Sequence, residues 1–119
     1  MNEINPDGDG EYVDVTADGR FIFGSTYDTS GSNKLMEYAN DSVGYEVIQT
    51  IKDGAVHSYG GFITDDYQMI GSAANNSINI YENYGNNTFF FSYSLSTGLT
   101  GIIVKLEVSE DATFLVVSF

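Results

Sequence analysis

Three stretches of this 119-residue chain can be laid over one another. The segment from Val15 to Ser25, Val-Thr-Ala-Asp-Gly-Arg-Phe-Ile-Phe-Gly-Ser, matches Phe62 to Ser72 and again Val108 to Ser118. The shared pattern runs from an apolar residue through a polar pair, an Asp and two turn-like residues to four mostly apolar positions, a small residue and Ser. It describes a β-hairpin. Asp18, Asp65 and Asp111 are set in the three turns at intervals of 47 and 46 residues. A fixed period in that range marks an array whose units bury their faces against neighbours, which excludes most other ways of folding such a chain.

The segments between the hairpins correspond as well. Leu35-Met36-Glu37-Tyr38 lines up with Ile78-Asn79-Ile80-Tyr81, and a polar, Gly-containing turn follows each. Further strand-like runs come next, Tyr45 to Ile51 with alternating faces and Thr88 to Leu95 rich in aromatic residues. Each unit therefore reads as four antiparallel strands, and four strands at a period of about 40 to 50 residues is the pattern of a β-propeller blade. At these hairpins the chain resembles the WD-repeat family and its degenerate relatives. Tyr38 and Tyr81 stand where that family usually has Trp, so Tyr38-Ala39 and Tyr81-Glu82 replace its Trp-Asp pair, and Gly-His is absent. The resemblance runs from Gly10 to Phe119. It implies a rigid ring whose loops hold peptides or folded partners, without a cofactor.

The expected fold is all-β, with about two and a half blades: residues 11–55, 56–101 and a partial unit at 102–119, after an acidic N-terminal segment at 1–10. A ten-stranded β-sandwich is the alternative, because short strands at regular spacing fit both. A closed propeller needs at least four blades. The chain is thus expected to belong to a larger assembly, either with further copies or with the rest of a longer polypeptide. No run of apolar residues at helical spacing is long enough for a helix, and with no Cys the chain has no disulfide scaffold and no thiol chemistry.

Charge narrows the partners. Four Lys or Arg against seventeen Asp or Glu give a net charge of −13, a surface that repels phosphate backbones and anionic membranes. Protein partners with basic surfaces are the expected class, and nucleic acid and membrane are not. With neither a basic start nor an apolar core, Met1 to Pro6 does not read as a signal peptide, and a cytoplasmic location is expected. Near the N-terminus, Asn5 to Glu11 spaces oxygen-bearing side chains as a Ca²⁺ loop does, but Thr16 stands where such a loop needs a bidentate Glu. No metal site is expected.

Catalytic signals are scarce. His57 is the only imidazole and falls in an expected strand. No nucleophile-elbow spacing or phosphate-cradling loop occurs. Asp65-Asp66 and Glu110-Asp111 read as solvated turn residues. Among the aromatics, Phe21, Phe23, Phe89, Phe91, Tyr93 and Phe114 are expected between sheets. Tyr27, Tyr59, Tyr67 and Tyr84 fall near strand ends and are the candidate interaction residues. Taken together, the sequence points to a non-enzymatic protein-interaction scaffold of WD-repeat-like blades, with a carbohydrate-binding or adhesion sandwich as the alternative.

Overall fold

The computed structural model describes residues 9–27, 32–52, 60–74, 76–86, 88–99, 101, 103, 105–109 and 114–118. Every regular element among them is a β-strand. The first sheet holds β1 (Asp9–Val15), β2 (Phe21–Tyr27), β3 (Ser32–Asn40) and β4 (Gly44–Lys52). The second holds β5 (Gly61–Ile63), β6 (Met69–Ala74), β7 (Ser77–Asn83) and β8 (Phe89–Ser96), and the third pairs β9 (Lys105–Val108) with β10 (Leu115–Ser118). Within each sheet the spatial order is the chain order, and every pairing is antiparallel.

The sheets stack as layers. Phe21, Phe23, Leu35 and Ile51 of the first sheet pack on Ile63, Ile70, Tyr81 and Phe89 of the second. The opposite face of the second sheet sends Phe62, Ala73, Ile78 and Ile80 against Ile103 and Leu106, with Leu115 and Val117 alongside. A sheet covered on both faces has no side available for charge, and β5 and β6, Gly-Phe-Ile and Met-Ile-Gly-Ser-Ala-Ala, carry none. The outer strand β8 shows the contrary pattern, with Phe90, Phe91, Tyr93 and Leu95 exposed beyond buried Phe89.

Two devices fit the layers closely. Gly71 pairs with Phe62 across β5 and β6, and a Cβ at Gly71 would overlap the Phe62 ring. The missing side chain is what lets that ring lie flat on the neighbouring strand. Polar side chains also bridge the first two sheets. Asn33 Nδ2 donates to Ser72 Oγ at 3.0 Å in the buried interior, and Gln49 donates to Phe89 O at 2.7 Å while accepting from Phe89 N at 2.9 Å.

The repeat is visible in the turns, with the second hairpin one residue out of the register read from the sequence. Thr16 N donates to Phe21 O, and Asp18 Oδ1 accepts from Thr16 Oγ1 at 2.7 Å and from Arg20 N at 3.0 Å. In the second sheet Thr64 N donates to Met69 O, and the accepting carboxylate is Asp66, from Thr64 Oγ1 at 2.7 Å and Gln68 N at 3.2 Å. Asp66, not Asp65, is therefore the counterpart of Asp18. In the third sheet Ser109 N donates to Phe114 O and Ser109 Oγ accepts from Phe114 N. Asp111 lies outside the described residues. The hydroxyl of Thr16, Thr64 or Ser109 anchors each hairpin.

Tyr67 takes the place of Gly19 in its turn, and both have positive φ, 59° and 73°. An L side chain is held there at some cost, and the ring supplies the compensation: it stacks on Phe21 at 3.5 Å between centroids and meets Phe89 edge-on at 5.1 Å. The hydroxyl has no hydrogen-bond partner. Burial, and next the charge of Glu37, push its pKa up to about 12. Since the folded value lies above the unfolded value of 10.0, the fold loses stability as pH rises from about 10 through about 12. Tyr67→Phe is expected to remove that alkaline loss and to raise stability by about 1 kcal/mol, because an unpaired buried hydroxyl is costly. Urea titrations at neutral and alkaline pH check both.

Candidate functional site

The first strands of the three sheets lie together: β1 against β5, and β5 against β9. Between them runs a groove. One part is a cavity of about 360 Å³ bordered by Asp14, Gly61, Phe62, Lys105 and Glu107, and it continues into one of about 230 Å³ bordered by Asp14, Thr64, Asp65 and Ser109. Gly60 keeps the floor narrow, because a Cβ there would press on Leu106 N at 3.0 Å.

Two carboxylates in this groove hold sheets together. Asp14 Oδ2 accepts from Ile63 N at 3.0 Å, and its Oδ1 accepts from Val15 N at 3.0 Å. Asp65 Oδ1 reaches back to accept from Ala17 N at 2.7 Å. The two bonds cross the same seam in opposite directions, so both acids are positioning residues, Asp14 with both oxygens committed and Asp65 with Oδ1. The exposed pair on β9 is different. Lys105 Nζ lies 3.2 Å from Glu107 Oε1, with both side chains reaching solvent. An ammonium beside a carboxylate can polarise a carbonyl and take a proton from water. Among the described residues no group of three or more His, Cys, Asp or Glu is placed to hold a metal ion.

Of the residues singled out by the sequence, Asp65 borders the groove and the others fall elsewhere. Tyr67 packs between the first two sheets as described above. Tyr84 is exposed, donates to Glu82 Oε2 at 3.2 Å and tilts against Phe90. Tyr27 ends β2, but its side chain is not among those described, and Tyr59, His57 and residues 1–8 lie outside the described residues. Asp18 keeps its turn role; the Arg20 amide and then the Thr16 hydroxyl lower its pKa from 3.8. Lys105, Glu107 and Asp14 were not singled out. A signal for them exists: Val13-Asp14-Val15-Thr16 and Leu106-Glu107-Val108-Ser109 share an acid two places before the hairpin hydroxyl.

Stacked antiparallel sheets with a groove along their first strands define an all-β class of protein, and the comparisons agree at that level. No family model and no curated protein matches the chain. Solved structures do. One of them is a protein from Bacteroides uniformis assigned as a 6-phosphogluconolactonase, with a TM-score of 0.74 and 20% identity over 96% of this chain. The chain spans 34% of that protein's length. At this identity the likeness concerns the fold. It overturns the reading of a non-enzymatic scaffold, and with it the expectation that no enzyme is involved: the fold this chain shares is found in a protein assigned as an enzyme. No helix among the described residues is long and apolar enough to cross a membrane, which leaves strand-built membrane crossing untouched.

Proposed function

We propose that this chain forms successive propeller blades of a hydrolase acting on a sugar lactone, and that the groove along β1, β5 and β9 is one wall of its reaction centre. The observation that carries the reading is the convergence of three first strands on a groove with an exposed ammonium–carboxylate pair. Support for blades comes from the four-stranded sheets in chain order, each packing face to face on the next, in the manner of the WD-repeat-like strand pattern read from the sequence. Support for the chemistry comes from the activity assigned to the Bacteroides uniformis protein. The remaining walls belong to parts of the protein beyond this third of the neighbour's length.

In the proposed reaction, water adds to the lactone carbonyl carbon, the ring C–O bond breaks, and a carboxylic acid and a hydroxyl result. Glu107 takes the proton of the attacking water and returns it to the ring oxygen as the C–O bond breaks, and Lys105 faces the carbonyl oxygen that gains negative charge. The acid then ionises and releases one proton, which makes the reaction visible to a pH-stat. With the full-length protein, acid release from gluconolactone or its 6-phosphate is expected above the spontaneous rate. Lys105→Met should lower kcat by about 100-fold, the scale of losing one group that stabilises a developing oxyanion. Spontaneous rates with both lactones would remove the proposal.

A further inference from the structure

The hairpins are built alike, so positions of the first have counterparts in the second. Counting from the anchoring hydroxyls of Thr16 and Thr64, Arg20 corresponds to Gln68 and Phe21 to Met69. The cross-strand pairs Phe21–Glu37 and Met69–Glu82 make Glu82 the counterpart of Glu37. Between the first two sheets these places are filled. Arg20 Nη2 lies 2.8 Å from Glu37 Oε2, and Arg20 Nε donates to the same oxygen at 3.0 Å. The guanidinium carbon stands 4.8 Å from the centre of the Phe21 ring. Tyr67, from the hairpin of the second sheet, stacks on Phe21 and completes the plug.

Between the second and third sheets every filling group is exchanged. Gln68 replaces the guanidinium and Met69 the ring. The residue three places after the hydroxyl, Tyr67 in the second hairpin, is Ala112 in the third, which lies outside the described residues. A cavity of about 210 Å³ is found here, bordered by Thr64, Asp66, Gln68, Met69, Glu82 and Asn83. Among the described residues it shares Thr64 alone with the groove along the first strands. Glu82 keeps the carboxylate, its Oε2 accepting from the Tyr84 hydroxyl at 3.2 Å, and Asp66 adds another. No Lys or Arg is among the described residues around the cavity. The place is not one that an outer strand fills: in the first seam β8 brings Phe89 to the edge of the Tyr67 ring, beside the plug.

We propose that this cavity binds a small organic cation with one ring, its charged end paired with Glu82 as Arg20 is with Glu37, and its ring set on Met69 as Tyr67 is on Phe21. The volume is below the roughly 300–1,000 Å³ of pockets for drug-sized ligands, which restricts the occupant to a group the size of a side chain or two. The Met69 thioether is a favourable contact for a ring edge. A net charge of −13 draws cations to the surface. A free aromatic amine carries this chemistry, and so do adjacent Arg and Tyr side chains of a peptide.

The test is titration calorimetry of the whole protein with tyramine at low salt. Saturable binding is expected with a Kd at or below about 1 mM, and 4-ethylphenol, which keeps the ring and lacks the ammonium, should bind at least about tenfold more weakly. Glu82→Gln should cost tyramine about tenfold in affinity, the scale of a hydrogen bond to a charged group. Gln68→Arg supplies the guanidinium of the first seam from within and should abolish binding. Gln68 is exposed and Glu82 half-buried, so both variants should fold, which circular dichroism verifies. Tighter binding of an N-acetylated Arg-Tyr amide than of tyramine assigns the site to a peptide, and the reverse order to a free amine. No saturable heat up to about 10 mM of either probe, equal binding of 4-ethylphenol, or tyramine binding unchanged in both variants would overturn the proposal.

Discussion

Phe23→Ala is expected to lower the unfolding free energy by about 3–5 kcal/mol, the range for removing a fully buried ring. Phe23 has no exposed surface, and it sits at the centre of β2, opposite Leu35 on one side and Asp14 on the other. Its ring is the first sheet's main contribution to the layer shared with Ile63, Ile70 and Phe89. Loss of the ring leaves a cavity between two sheets that are each braced by their own hydrogen bonds, so collapse around it is limited. Phe91→Ala is the control: that ring is exposed on β8, and its loss should cost no more than about 0.5 kcal/mol. Urea unfolding measures both. A loss below about 1 kcal/mol at Phe23 would mean that the first two sheets do not share a core.

The second large effect is expected at Gln49. Its amide completes both polar groups of Phe89, where β8 begins, from a strand of the other sheet. In Gln49→Leu both groups lose their partner at about 1–3 kcal/mol each, for a total of roughly 2–6 kcal/mol. Gln49→Glu is the sharper probe. An ionised Glu can still accept from Phe89 N but faces Phe89 O with a negative charge, whereas a protonated Glu can donate to it. The folded pKa of the new Glu is thus expected above the unfolded value of about 4.3. Stability is then retained below that value and lost as pH rises through the folded pKa. The variant should approach the wild type near pH 4 and fall well below it at pH 7, as read by urea midpoints at the two pH values. A penalty that is the same at both would show that the amide's donor side is idle.

Much of the strand layout was legible because period-two alternation and turn residues are local signals. The three hairpins, their order and the absence of helix among the described residues all follow from them. The register was less accessible. Asp65 and Asp66 are adjacent, and only the bonds from Thr64 Oγ1 and Gln68 N distinguish the turn acid from the one that crosses to Ala17. Counting from the hydroxyl at Thr16, Thr64 and Ser109 would have given the right frame. The second half of the repeat slipped by two: Tyr38 and Asn83 occupy equivalent places, each donating its N–H to the residue before the β2 or β6 strand, Arg20 or Gln68. A slip of two preserves which face a strand buries, and Phe21, Phe23 and Phe89 are in the core as expected, whereas Phe91, Tyr93 and Phe114, expected between sheets, are exposed. Tyr67 was read as a surface residue because the turn pattern suggests exposure, and no local signal says that the ring folds back between sheets. The groove was invisible for a related reason. Asp14, Asp65 and Lys105 meet only when three units stack, and the sequence distance between them carries no information about that.

The stacking also sets how the molecule opens. Because the second sheet packs on the first by one face and on the third by the other, either outer sheet can detach while the other interface stays closed. The amide hydrogens of β6 and β7 can then reach solvent only when both neighbours have left, so they should exchange last of all, at the rate of global unfolding. Proteolytic nicking would begin at the periphery and stop at the middle layer. The durable part is the second sheet, between Gly61 and Ser96, and the first and third sheets are the layers that open before it.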